Sequence, residues 1–178
     1  MKISAIACVT SDMCIGIDNR LIMPLSADMK HFKEVTHGHV VVMGRNTYES
    51  LPVKPLPGRT NIIISTTMDE MPPGFFVFKS VEDFLNFYKE YDEEIFVIGG
   101  AKIYDAFMPY INRIYLTHIH CNGVAMLNNI HANYDRLVKF PSSLFDYEWD
   151  IQRSVDNMAL DRNWGIVHYN FLTLIKKV

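Results

Sequence analysis

The residues best suited to chemistry in this chain are an early carboxylate, a loop arginine and two glycine-rich turns. Asp28 lies in a segment opened by Ser26, where Met29, Phe32 and Val35 recur at helical spacing until Gly38 ends it. Asp28 and Phe32, four residues apart, share a helix face that Met29 borders. A carboxylate beside apolar side chains is costly unless a cation or hydrogen-bond donors meet it. Two readings stand: a first-turn acid favoured by the helix dipole, or a pocket-wall carboxylate gripping adjacent N–H donors. An amidine or 2-aminopyrimidine edge fits the second, in a fork geometry. Arg59 follows Pro52, Pro55 and Leu56-Pro57-Gly58, a rigid turn ahead of a strand. It is either a solvated loop cation or a bidentate clamp for a carboxylate.

Met43-Gly44-Arg45-Asn46-Thr47 stands where a strand gives way to a helix. Gly44 lets the backbone approach a ligand, the helix start offers free N–H groups to phosphate, and Thr47 and Arg45 add a hydroxyl and a cation. Ile98-Gly99-Gly100-Ala101-Lys102 repeats the arrangement. Either turn alone is weak evidence, because some such turns are only packing or capping glycines. Together they favour one ligand with several phosphates, lying across the strand ends where open α/β sheets bind. His118, His120 and Cys121 lack a second pair of ligands nearby, so no metal site is expected. Cys8 and Cys14 read as structural thiols, and Phe84, Phe87 and Tyr88 as helix-packing core.

These groups need a scaffold, and the hydrophobic pattern supplies one. Residues 3–9 (ISAIACV), 39–43 (HVVVM), 60–65 (TNIIIS), 75–78 (FFVF) and 94–98 (EIFVI) are short, apolar and bounded by turn residues, as strands covered on both faces are. Between them, Ser80-Val-Glu-Asp83 begins a helix like a capping box, and 101–108 forms another, closed by Pro109. Strand alternating with helix predicts a doubly wound α/β fold. Residues 113–120 read as a further strand. Segments 147–155 and 166–175 read as an antiparallel hairpin at a sheet edge, joined by a polar, turn-rich stretch over 156–165. Residues 122–129 show no clear period.

A length of 178 residues suits a single domain, 1–178. The 49% hydrophobic content supports a core rather than disorder. Seventeen basic against twenty acidic residues leave −3, which provides no basic field for nucleic acid. Apolar runs are too short to span a membrane, and the N-terminus does not read as a secretory signal. Three cysteines make no disulfide framework, so a soluble, cytoplasmic protein is expected.

In order along the chain, 3–9, Cys14-Ile-Gly16 with Asn19, 25–36 (LSADMKHFKEVT), 42–50 (VMGRNTYES), 56–65 (LPGRTNIIIS), 97–104 (VIGGAKIY) and 114–119 (IYLTHI) resemble dihydrofolate reductase. The ordered combination of MGRxT, LPGR and IGG carries the resemblance. It implies a mixed, mostly parallel eight-stranded sheet with four flanking helices and an antiparallel C-terminal edge strand. It also implies NADPH-dependent reduction of 7,8-dihydrofolate to tetrahydrofolate, in support of one-carbon metabolism and thymidylate synthesis, with antifolates as further ligands.

Carried over residue by residue, the resemblance makes Asp28 the pterin anchor and Thr117 its buttress. Ile6, Ala7, Met29, Phe32, Leu51, Leu56, Ile98 and Tyr104 wall the substrate pocket, and Arg59 clamps the glutamate α-carboxylate. Ala7, Ile15, Gly16, Asn19 and the run Gly44, Arg45, Asn46, Thr47 would meet the cofactor. So would Ser65, Thr66, Ile98, Gly99, Gly100, Ala101, Lys102, Ile103 and Tyr104, with Thr66 and Lys102 near the 2′-phosphate and a cis Gly99–Gly100 peptide. The imine proton would come from water admitted by the 16–24 loop.

Two departures from the family pattern stand out. Leu21-Ile22-Met23-Pro24 replaces the usual Pro-Trp, so Met23 stands where the Trp would donate a hydrogen bond. The usual Gly-Asp-Thr-x-Phe-Pro segment is missing; Phe140-Pro141 and Trp149 restore the register, making 122–138 an insertion. The Asp-Thr that props the active-site loop falls on Leu137-Val138, with Asp135 a substitute. A monomer is expected, with the insertion as the route to any oligomer. The alternatives are a non-catalytic nucleotide- or folate-binding or structural protein on the same fold, and a reductase of riboflavin-pathway pyrimidines, which leaves Asp28 with Arg59 unexplained.

Overall fold

β-branched runs build the frame. Val40-Val-Val-Met-Gly44 is buried along its whole length, as a strand covered on both faces must be. The computed structural model describes residues 1–123, 136–161 and 164–177. In chain order it contains β1 (Lys2–Thr10), β2 (Cys14–Ile17), β3 (Arg20–Leu21), α1 (Ser26–Thr36), β4 (Val40–Gly44), α2 (Arg45–Ser50), β5 (Thr60–Ile64) and β6 (Phe75–Phe78). There follow α3 (Val81–Phe87), β7 (Glu94–Gly99), α4 (Ala101–Phe107), β8 (Arg113–Ile119), β9 (Leu137–Lys139), β10 (Trp149–Asp161) and β11 (Gly165–Lys176).

Eight strands form one sheet in the order β10-β11-β8-β1-β7-β4-β5-β6. The pairs from β8 to β6 are parallel; β11 runs antiparallel to both of its neighbours. The chain moves outward from β4 to β6, and then α3 returns it so that β7 enters between β1 and β4. That reversal leaves a crevice at the carboxyl ends of β1, β7 and β4.

Alternation along the strands splits the core in two. Ala5, Ala7 and Val9 join Val42, Val97 and the α4 residues Tyr104 and Phe107 on one face. Ile6, Val41, Met43 and Phe96 occupy the other, where Phe32 and Val35 of α1 pack.

The structure amends several expectations. Residues 156–161 are strand rather than loop: β10 runs on to Asp161, which pairs with Gly165. Cross-strand pairing outweighs the polar composition there, because one face of the hairpin remains in solvent. The antiparallel C-terminal hairpin lies at the sheet edge as expected, with β10 outermost and β11 beside it. α1 begins at Ser26 as expected, with Leu25 at the cap position and no side-chain cap. Pro109 sits inside a 3₁₀ turn over Met108–Tyr110 rather than ending the helix outright. At α3 the capping expectation holds, with Ser80 Oγ accepting the Asp83 N–H at 3.0 Å. Phe84 is fully buried as expected, but Phe87 is 72% exposed.

A second, three-stranded sheet (β3-β2-β9) was not legible in the sequence. Ile17 turns back at Asp18 and Asn19, both at positive φ, into Arg20. The supposed 16–24 loop is therefore a short hairpin. β9 pairs with it (Gly16 with Val138, Ile17 with Leu137), and Arg136 ion-pairs with Asp18. Asp135 and most of the supposed insertion (124–135) lie outside the described residues.

A different carboxylate clips the base of this hairpin. Asp12 accepts the Thr10 hydroxyl at 2.6 Å, the Gly123 N–H at 2.7 Å and the Cys14 thiol at 3.4 Å. Burial alone would raise its pKa, but these hydrogen bonds prevail and bring it from 3.8 down to about 2. A depressed acid stabilises the fold fully above its unfolded pKa and loses that contribution as pH falls through the folded value. Stability should therefore fall with pH between 3.8 and about 2. Asp12→Asn should flatten that fall, lower stability at neutral pH by about 1 kcal/mol and speed amide exchange at Gly123. Chemical denaturation across pH and exchange by NMR read both effects.

Candidate active site

α1 brings Asp28 to the sheet with 7% exposure, and the strand pairing places Thr117 of β8 beside Cys8 of β1 on the same face. Burial pushes the Asp28 pKa up, while Thr117 opposes the rise. Yet Thr117 Oγ1, buried in a residue only 1% exposed, completes no hydrogen bond among the described residues. The two groups are close enough to interact without closing a bond of normal geometry. An acid and an adjacent hydroxyl in that state are prepared for a third partner with N–H groups.

The expected pocket walls divide according to strand parity. Ile6 and Leu56 are buried on the Asp28 side, with Phe32, Leu51 and Ile98 partly buried against them. Ala7 points to the opposite core, so only its backbone can meet a ligand. Tyr104 crosses over through its hydroxyl, which donates to the Ile6 carbonyl at 2.8 Å. Burial and the Asp28 charge raise its pKa, so it stays a donor. Met29, 40% exposed, lies at the outer lip rather than in the wall.

Arg59 is held on three sides. Its Nε donates to the Pro57 carbonyl at 3.1 Å, its Nη1 to Thr36 Oγ1 at 3.1 Å, and its guanidinium lies 5.7 Å from the Phe32 ring centre. Thr36 in turn donates to the Phe32 carbonyl at 2.7 Å. Among the described residues Arg59 ion-pairs with no carboxylate. A fork with spare donors, fixed beside an aromatic ring, suits an external carboxylate. Sequence reasoning missed Thr36, because a helix-ending threonine carries no distinguishing pattern.

On the cofactor side, Met43 of β4 pairs with Gly99 of β7, so the two glycine turns are neighbours. A Cβ on Gly100 would lie 3.5 Å from Thr47 Oγ1. Gly44 and Gly100 begin α2 and α4 without side-chain caps, leaving first-turn N–H groups for a ligand. Gly99 has φ +118, a conformation that favours glycine, and the Gly99–Gly100 peptide is cis, as expected. Ile103 fills the space against Gly44. Asn46, Thr66 and Lys102 are exposed, and Ala101 is partly so. Arg45 is exposed too, but is engaged by Glu49 at 2.6 Å and by Thr67. Ser65 is occupied in its own turn, accepting the Thr67 and Met68 N–H groups at 3.3 Å. Ile15 packs on the core, Gly16 is buried and Asn19 exposed in the β2–β3 hairpin. Paired N-termini with a nearby hydroxyl and two cations fit the diphosphate of a dinucleotide.

Residues 2–144 match the family model described as dihydrofolate reductase. The chain belongs to the dihydrofolate reductase family. It is similar to the dihydrofolate reductase of Bacillus subtilis (strain 168), 42% identical over 118 residues, which cover 66% of this chain and 69% of that one. It is likewise similar to dihydrofolate reductase type 3 of Salmonella typhimurium, at 41% over 119 residues, covering 67% and 72%. A solved dihydrofolate reductase from Enterococcus faecalis, complexed with NADP(H) and RAB-propyl, superposes with a TM-score of 0.82 at 25% identity, covering 99% of this chain and 97% of that one. The chain is thus an oxidoreductase of the dihydrofolate-reducing class. No described helix is long and apolar enough to cross a membrane, and no described residues cluster as a metal site.

Gly58, at φ +68, sets the turn that aims Arg59. Gly58→Ala should destabilise the protein by about 1–2 kcal/mol, the penalty for a left-handed alanine. The new Cβ would also lie 2.6 Å from the movable His37 ring. Thermal melts and the KM for dihydrofolate should both register the change.

Proposed function

We propose that this chain reduces 7,8-dihydrofolate to tetrahydrofolate with NADPH, using Asp28 as the pterin anchor and Arg59 as the tail clamp. The observation that carries the reading is the buried Asp28 carboxylate beside the unpartnered Thr117 hydroxyl. Asp28 accepts the pterin amino group and the neighbouring ring N–H, which sets the protonation state and orientation of the substrate. Thr117 holds the carboxylate in that pose. Ile6, Leu51, Leu56 and Ile98 exclude water around the ring, while Phe32 packs on the aminobenzoyl group. Arg59 takes the glutamate α-carboxylate. The α2 and α4 N-termini, Thr47, Arg45 and Lys102 hold the cofactor phosphates. When bound, NADPH supplies a hydride to the carbon of the pterin C=N bond. The proton reaches the imine nitrogen from water. Asp28 and Arg59 lie in one chain, so the site needs no partner subunit, which supports a monomer, and three free cysteines suit the reducing cytoplasm.

A spectrophotometric assay with dihydrofolate and NADPH tests this reading; absence of nicotinamide oxidation would overturn it. Asp28→Asn should depress turnover far more than NADPH affinity. Because burial raises the Asp28 pKa, the folded state binds its proton more tightly than the unfolded one, and stability declines as pH rises through that window. Asp28→Asn should therefore melt higher at neutral pH, by about 2–4 °C for each kcal/mol relieved at this chain size. Arg59→Leu should leave turnover at saturation nearly intact while weakening dihydrofolate binding by about 2–5 kcal/mol. Folate analogues without the glutamate should bind both forms alike.

A further inference from the structure

The inference rests on the reductase reading above and adds one residue to it. On β11, Tyr169 opposes Ile119 and Phe171 opposes Thr117. Alternate strand residues share a face, so Tyr169, Phe171 and Thr117 all lie toward α1, where His31 stacks on Phe171 at 4.2 Å. Tyr169 is 5% exposed and belongs to one apolar cluster with Cys8, Met23 and Leu25. Its ring meets Phe171 edge-on at 5.3 Å. Its hydroxyl makes no hydrogen bond among the described residues, and neither does Thr117 Oγ1 on the adjacent strand. The side chain of Met23, which closes the cluster, carries no N–H or O–H. Thr117 Oγ1 is a buried hydroxyl without a partner among the described residues, and valine would fill its volume without desolvating a donor; Tyr169 presents a second hydroxyl on the face that also receives Asp28.

We propose that Tyr169 is a positioning residue that, through a water shared with Thr117, donates to Asp28 and keeps its carboxylate charged and aimed at the pterin. Water-mediated bonds of this kind serve nearly as well as direct ones. Burial first, and the Asp28 charge second, raise the Tyr169 pKa, so the phenol remains a donor throughout the working range. The other titratable groups packed around Asp28 do not take over the role. Burial and the Asp28 charge hold Cys8 of β1 and Tyr104 of α4 protonated, and the Tyr104 proton is already given to the Ile6 carbonyl. Burial, with Arg153 adding to it and Glu34 opposing, favours neutral His31 on α1. Its ring is occupied by Phe171.

Tyr169→Phe tests the proposal with the ring retained. Losing a donor to a carboxylate disfavours its charged form, so the break in the pH profile of kcat/KM should move upward by about half to one unit. On the acid side of that break kcat/KM should fall about three- to tenfold, while melting temperature and NADPH affinity stay at wild-type values. Phe171→Leu, which alters the packing but no donor, should lower the melting temperature without moving the break. Superimposable profiles for wild type and Tyr169→Phe would overturn the inference, as would an equal shift in Phe171→Leu. A wild-type protein with no turnover would sink the reductase reading itself, an outcome distinct from unchanged profiles in an active enzyme.

Discussion

Keeping one carboxylate charged inside the protein is the constraint that organises this molecule. Asp28 gains little from its place on α1, because its first-turn position is offset by desolvation at the sheet. Something must compensate when it ionises, and the described neighbours supply only incomplete partners. The deficit is the recognition device: a substrate with paired donors supplies what the fold withholds. Ile6, buried on the same face, keeps bulk solvent from doing so instead, beyond the one water that Tyr169 and Thr117 are proposed to share. The arrangement therefore gives up stability in the free protein for selectivity toward a flat heterocycle.

The sheet divides labour by parity. One-residue alternation along β1 sends Ile6 toward the substrate and Ala7 toward α4, so successive residues serve different layers. The glycine turns succeed for a complementary reason. β7 inserts next to β4, so two helices begin side by side although more than fifty residues separate them in sequence. No local motif could have produced that adjacency. It is a property of strand order.

The parallel strands and α3 were readable because burial on both faces writes near-continuous apolar runs, and because Ser80 with Asp83 marks a cap. Asp28, Arg59 and the glycine turns were readable because polar or flexible residues interrupt those runs at regular places. The small sheet was not. Its strands are two to four residues long, and β2 and β9 find each other across more than a hundred residues. The extension of β10 through a polar stretch escaped for a related reason: cross-strand pairing outweighed what composition suggested. Asp12 carries no distinguishing pattern in the sequence, since its role rests on donors from Thr10, Cys14 and Gly123, and Phe87 looked like core until α3 was oriented. These features depend on long-range register, which a local pattern does not encode.

Strand order also governs how the polypeptide emerges during synthesis. β1 is made first, yet both its partners, β7 and β8, come after residue 93. While β4, β5 and β6 can already join, β1 waits with its backbone groups unmatched and its apolar side chains uncovered. A ribosome-bound intermediate halted before β7 therefore presents a sticky edge and no assembled catalytic centre. Shielding by chaperones matters most in that interval, and any mutation that delays β7 lengthens it.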